Sequence, residues 1–159
     1  MRFVSNLLTS LWIGGLLALG YVAAPAAFAV MQAHDPASGR ALAGEFFGVT
    51  LLRAQHFLIG AGALQAVLLN VRAAVGPRPR QYKIQLAMVL FMIAVTGYAA
   101  FIIAPQIEAI RVSANGPIAA LANDNPAKAE FGALHGWSNG LMALTLVGAI
   151  SLMWFDRRE

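Results

Sequence analysis

Four long stretches without a charged side chain dominate this sequence. They run for 32 residues after Arg2, 18 after Arg53, 24 after Lys83 and 25 after Glu130. An α-helix needs about 20 apolar residues, at ~1.5 Å per residue, to cross ~30 Å of hydrocarbon. The arginines that flank the shortest stretch can extend its reach by snorkelling. The sequence therefore predicts four transmembrane helices.

Composition excludes a water-soluble domain. Of the 159 residues, 59% are apolar and 11% are charged, against roughly 45–50% and 25% in soluble proteins. The chain contains no cysteine, which excludes disulfides, thiolate metal sites and cysteine nucleophiles. Its basic residues are scattered between apolar runs and form no nucleic-acid-binding patch. The expected partner is the lipid bilayer.

The predicted fold is an all-α, single-domain, up-down bundle of four transmembrane helices over residues 1–159. We place the helices at about 4–32, 50–74, 82–111 and 129–155, with outer loops at 33–49 and 112–128 and an inner hairpin at 75–81. Seven of the eleven basic residues then lie on one side, which predicts cytoplasmic termini. Alternatively, Ala27-Phe28-Ala29 is a signal-peptidase site, and cleavage there leaves three spans.

Glycines at helical spacing predict where the helices pack. Gly132, Gly136, Gly140 and Gly148 form one row on the fourth span, and Gly14 lies on the first. Helices in lipid associate where small residues let backbones approach. We expect these glycines to pack within the bundle; the alternative for the Gly136-x-x-x-Gly140 pair is a homo-oligomer. No internal repeat stands out.

A layer of polar residues is predicted near the outer ends of the last three helices. Its members are Arg53, His56, Pro105, Glu108, His135, Ser138 and Asn139. At ~100° per residue they fall on single helix faces, and in lipid such faces turn inward. We expect Arg53 to pair with Glu108 and the histidines to approach each other or that pair.

Three interpretations of this layer remain open. It is a structural hydrogen-bond network, a vestibule for a small ligand or ion, or a metal or haem site held by His56 and His135. Toward the inner side, we expect Gln65, Asn70, Gln85 and Thr96 to make interhelical hydrogen bonds. Catalytic motifs such as a P-loop or nucleophile elbow are absent, and no enzyme of a familiar soluble type is expected.

The chain resembles a bacterial family of four-pass inner-membrane proteins, the domain-of-unknown-function 4149 family, akin to the transmembrane protein 205-like family. The resemblance is carried by residues 11–28, 41–47 (ALAGEFF), 104–111 (APQIEAIR) and 131–138 (FGALHGWS). It implies that the first span is retained and that the protein is multi-pass in the bacterial inner membrane. It implies no activity.

The function expected from these observations is that of a small, non-enzymatic inner-membrane component. It would use the outer polar layer to bind a ligand or a partner, such as another membrane protein or a second copy. The alternatives are a redox protein that holds haem or a metal through His56 and His135, and a transporter of small solutes. The leading interpretation requires no cofactor.

Overall fold

The structure, a computed structural model, describes residues 2–76, 81–114 and 117–156. Most of the predicted inner hairpin, residues 77–80, and residues 115–116 of the second outer loop lie outside them. The described residues are almost entirely helical. The helices are α1 (Arg2–Leu17), α2 (Ala24–His34), α3 (Gly39–Val75), α4 (Tyr82–Tyr98), α5 (Ala104–Ser113) and α6 (Pro126–Asp156). Two π-helical segments, Ala18–Ala23 and Ala99–Ile103, join α1 to α2 and α4 to α5, and a 3-10 turn spans Ile118–Ala120.

Four continuous helical runs are long and apolar enough to cross a membrane. They are Phe3–His34, Gly39–Val75, Tyr82–Ser113 and Pro126–Phe155, and we call them spans 1 to 4. This confirms the predicted all-α fold with four helices long and apolar enough to span a membrane. Which side of the membrane the termini occupy stays a prediction.

Span 2 begins much earlier than the sequence indicated. Residues 39–49, placed in an outer loop, are the first three turns of α3. The stretch between Gly39 and Thr50 contains no proline and several good helix formers, so the helix continues once it has started. The first connection shrinks to residues 35–38.

The four spans form a square in which each contacts two neighbours. Span 1 packs against α3 and α6, and α4 packs against the same two helices. Spans 1 and 3 therefore lie on one diagonal. We call the end that carries residues 75–76 and 81–82 the hairpin end, and the end that carries residues 35–38 and the 117–125 loop the loop end.

The interior is apolar and close-packed around Trp12 and Met92, each 1% exposed. The remaining buried members of this core are Leu16, Leu58, Leu69, Val89, Ala149 and Leu152. Large apolar side chains also cover the outside; Tyr21 is 80% exposed and Phe57 62%. An apolar exterior around an apolar core is what a lipid solvent favours.

Both π-helical segments end just before a proline. Ala24 N–H donates to Leu19 O and Ala104 N–H to Ala99 O, which are i to i−5 bonds, and Pro25 and Pro105 follow. Proline lacks an N–H and clashes with the carbonyl one turn earlier, so the wider π turn relieves the helix at that point.

The two segments occupy equivalent places in spans 1 and 3. The prolines are 80 positions apart, and the same spacing relates Trp12 to Met92 and Ser5 to Gln85, all four of which are buried. Spans 1 and 3 thus repeat one pattern of buried positions although their residues mostly differ. This structural repeat is not visible in the sequence, because the residues at equivalent positions mostly differ.

Candidate functional site

The polar residues predicted to form an inward layer lie on the surface of the bundle. Arg53, His56, Pro105, Glu108, His135 and Asn139 are exposed, and Ser138 is half-buried. The expectation that these helix faces turn inward is wrong for them. Near the end of a span such side chains reach headgroups and water, so the cost of exposure there is small.

The predicted ion pair between Arg53 and Glu108 is not formed. Among the residues that the structure describes, Glu108 pairs with Arg111, with Nη1 3.4 Å from Oε2, and the Arg53 guanidinium is not within 4.0 Å of it. The partner is one helical turn away on α5, which is the easier geometry for two long side chains. With Glu108 61% exposed, water screens this pair.

Arg111, which was not among the residues of the predicted layer, is the charged residue that joins two helices here. Its side chain is 20% exposed, and its Nη2 donates to the carbonyl of Ala41 at 3.3 Å. The guanidinium lies against Gly44 and Gly48, where a Cβ would be 3.4 and 3.5 Å from its nitrogens. In the sequence, the only indication of this contact was the pair of glycines four residues apart on α3, which leaves room for a flat group on that face of the helix.

The described contacts of the two histidines are with other residues and not with each other. His56 Nδ1 lies 2.8 Å from the Leu52 carbonyl, and its ring meets the edge of Phe101 at a centroid distance of 5.2 Å. His135 stacks on Phe131, one turn away on α6, at 6.0 Å. Within the described ranges, no three His, Asp or Glu side chains cluster as metal ligands do. The metal or haem hypothesis therefore rests on His56 and His135, and neither belongs to a cluster of three such ligands among the described residues.

The glycines expected to pack inside the bundle divide into two sets. Gly148 lies against Met92, whose Cγ is 3.1 Å from the position of a Cβ. Gly14, Gly132, Gly136 and Gly140 have no described atom within 4 Å of that position, so the expectation of packing within the chain is wrong for these four. A close contact between spans is instead found at Gly62, where Ile93 and Trp12 would lie 2.7 and 3.1 Å from a Cβ.

An open groove runs along α6 beside its exposed glycines. Its lining residues are Ala133, Gly136, Trp137, Gly140, Leu141 and Leu144. Asn139 is exposed on the same helix. The groove faces away from the core, toward the lipid.

Several polar side chains are buried in the interior, and Gln65, Gln85 and Thr96 are the predicted ones among them. Gln65 Nε2 donates to Thr9 Oγ1 at 2.7 Å and links α3 to α1. Asn70 is exposed instead, and its Oδ1 accepts the Tyr82 hydroxyl at 2.6 Å, a bond between α3 and α4. Gln55, which the sequence argument passed over, is 7% exposed. Its Oε1 is buried and accepts no hydrogen bond from any described residue.

The tight connection at the loop end is organised by Asp35. Its carboxylate accepts the N–H groups of Ala37 at 2.9 Å and Ser38 at 3.2 Å and the hydroxyl of Ser38. These hydrogen bonds, the Ser38 hydroxyl first, hold the pKa of Asp35 below its ordinary value of 3.8. Asp35 therefore caps the chain reversal.

Comparison with known proteins identifies one family. A family model described as Domain of unknown function (DUF4149) matches residues 7–115. No curated protein and no solved structure matches. The matched region covers span 1 from residue 7 onward, all of spans 2 and 3, and both π-helical segments.

Proposed function

Because the chain belongs to the DUF4149 family, whose description assigns no function, we propose a function from its surface: a non-enzymatic membrane component that associates through α6. The observation that supports it is the exposed row of small residues on that helix. A Cβ at Gly132, Gly136 or Gly140 would meet nothing within 4 Å.

The row continues along one face of the helix. At ~100° per residue, Asn139 and Ala143 fall within about 60° of Gly132 and Gly136, and both are exposed. Small residues let a second helix approach until the backbones touch. A carboxamide in the span gains hydrogen bonds from a protein neighbour that lipid chains cannot supply. Both features favour a protein helix over lipid at this face.

The occupant we propose is α6 of a second copy. In a symmetric pair each residue near the axis meets its own equivalent. A row of glycines is complementary in shape to itself, and the Asn139 carboxamide, which donates and accepts, is complementary in hydrogen bonding to itself. A charged residue at that place would repel its copy, and this face carries none between Glu130 and Asp156.

Disulfide cross-linking tests the proposal directly, because the chain has no cysteine of its own. Ala143→Cys places a thiol on the α6 face, and Ala63→Cys places one on an exposed position of α3 as a control. We expect oxidation in native membranes to convert Ala143→Cys to a covalent dimer and to leave Ala63→Cys monomeric. Equal, low cross-linking of both would overturn the proposal.

A second pair of variants separates association from collision. Gly136→Ile fills the face with a branched side chain and should abolish the Ala143→Cys cross-link. Gly60→Ile adds the same bulk at an exposed glycine of α3, where a Cβ also meets nothing within 4 Å, and should leave the cross-link intact. If Gly136→Ile cross-links as well as its parent, the thiols meet by random encounter and the glycine face is not the interface.

A further inference from the structure

Three helices bring hydrogen-bond acceptors to one level of the bundle: one has no described donor, and two would pair with prolines. The first is Gln55 Oε1, buried and without a described partner. The others are backbone carbonyls. In the two π-helical segments, the carbonyls of Leu19 and Ala99 accept i to i−5 bonds. In the same register, the next carbonyls, those of Gly20 and Ala100, would accept from residues 25 and 105. Both of these are prolines, which have no N–H.

The contacts between helices place these atoms at the same height. Gln65 bonds to Thr9 across the α1–α3 seam. From that bond, Gln55 and Leu19 each lie ten residues, about 15 Å, toward the loop end. On the other side of α3, the ring of His56 meets the ring of Phe101. Gln55 is thus level with Gly20 on span 1 and with Ala100 on span 3.

All three positions belong to the inward side. Gln55 is 7% exposed and Ala100 2%. Gly20 is half-buried, with Met142 Cε 3.2 Å from where its Cβ would be. In a membrane interior, each oxygen left without a donor costs several kcal/mol. The layer contains acceptors and needs a donor or a positive charge.

We infer that this layer binds a small electropositive ligand, a water molecule or a monovalent alkali cation, between Gln55 and the two π-helical segments. Carbonyl and carboxamide oxygens are the ligands of hard cations and the acceptors of water. The polar side chains buried among the described residues are all neutral: Ser5, Thr9, Gln55, Gln65, Gln85, Thr96 and Thr145. A multivalent ion would have no compensating charge there. The inference does not depend on association through α6.

Thermal unfolding of the full-length protein in detergent, in equal concentrations of NaCl, KCl and choline chloride, tests for the cation. A bound cation at about 100 times its Kd raises Tm by roughly 5–10 °C over choline. We expect Gln55→Met to remove that difference, because it keeps the side-chain length and removes the oxygen. Gln106→Met, at an exposed position of α5, should retain it.

Pro105→Ala is a second probe that does not threaten the fold. It restores the N–H that the Ala100 carbonyl lacks and favours the helix, so it should weaken the salt preference while the protein stays folded. Pro126→Ala, at the exposed first residue of α6, is the control. A salt preference that survives both Gln55→Met and Pro105→Ala would place the cation elsewhere and overturn the inference.

A high-resolution structure decides the water case. If no alkali salt is preferred, we expect an ordered water within about 3.2 Å of Gln55 Oε1, absent in Gln55→Met. A wild-type structure without density beside Gln55, together with equal Tm values in the three salts, would show that the layer is empty and would overturn the inference.

Discussion

The chain turns from span 1 into span 2 within four residues, and Gly39 is the residue at the tightest point. A Cβ there would lie 2.0 Å from the carbonyl oxygen of Met31 and 2.5 Å from its carbon. Backbone atoms cannot swing aside as the end of a side chain can, so any other residue must shift the whole turn.

Gly39→Ala should therefore be strongly destabilising, by about 3 kcal/mol, the upper range for inserting one methyl group into packed surroundings. Gly60→Ala is the matched change, since a Cβ there meets nothing within 4 Å, and it should stabilise the helix by about 0.5–1 kcal/mol. Thermal unfolding in detergent measures both. Similar Tm values for the two variants would contradict the close contact at Gly39.

Asp35 gives the turn a dependence on pH. Its pKa is lowered chiefly by the hydroxyl of Ser38, so its contribution to stability is present above the unfolded pKa and is lost as the pH falls through the folded pKa. We expect Ser38→Ala to move the pKa of Asp35 up toward 3.8. The carboxyl carbon shift of Asp35, followed by NMR titration, reports it; an unchanged pKa would mean that the hydroxyl does not hold the carboxylate.

Arg111 and Glu108 should contribute very unequally although they form one ion pair. Arg111→Met removes the hydrogen bond to Ala41 between α5 and α3 and should cost about 1 kcal/mol. Glu108→Gln removes only a pair in which Glu108 is 61% exposed and should cost less than about 0.5 kcal/mol. Urea or thermal unfolding compares them. Equal losses would show that the ion pair, not the bond to α3, holds Arg111.

At the scale of whole helices, the sequence correctly predicted an all-helical fold with four helices long enough to span a membrane. The charge-free runs gave the four spans because a membrane imposes a minimum length of apolar helix. Helical phase alone could not say which face of a span turns inward, because lipid and core are both apolar. Arg53, His135 and Asn139 were therefore assigned to the wrong side, while Gln65 was correctly given an interhelical partner.

The bond between Gln65 and Thr9 provides a measure of how α1 is held to α3. Gln65→Leu and Thr9→Val should each reduce stability, and the double variant should lose less than the two losses added together, with a coupling of about 0.6 kcal/mol. Thermal unfolding of the four proteins closes the cycle. Strictly additive losses would mean that the two side chains do not interact in the membrane.

For the whole molecule, four spans among the described residues predict that Arg2 and Asp156 lie on the same side of the membrane, and the distribution of basic residues predicts that this is the cytoplasmic side. Single cysteines at Ala37, in the 35–38 connection, and at Gln81, near the hairpin, test this in intact cells. An impermeant thiol reagent should label Ala37→Cys and spare Gln81→Cys. The reverse pattern would invert the molecule.

The interior site lay beyond sequence reasoning for a physical reason. Gln55 is next to His56 in the sequence, and histidine is the more common ligand of the two residue types. Only the rotation of α3 shows that Gln55 is buried and His56 exposed, and only the helix registers reveal the two π-helical segments at its level. Proline was a usable signal for a kink, but it did not specify how the helix would accommodate it.

The matched prolines also have a mechanical meaning. Spans 1 and 3 each carry a π-helical segment before a proline, at one height and on one diagonal of the square, whereas α3 and α6 are continuous helices along the other. The two π-helical segments, which lie beside the two continuous helices, define an axis about which the loop-end thirds of spans 1 and 3 can tilt. We expect any opening of the loop end to be a paired swing of α2 and α5, with the core around Trp12 and Met92 as its fixed base.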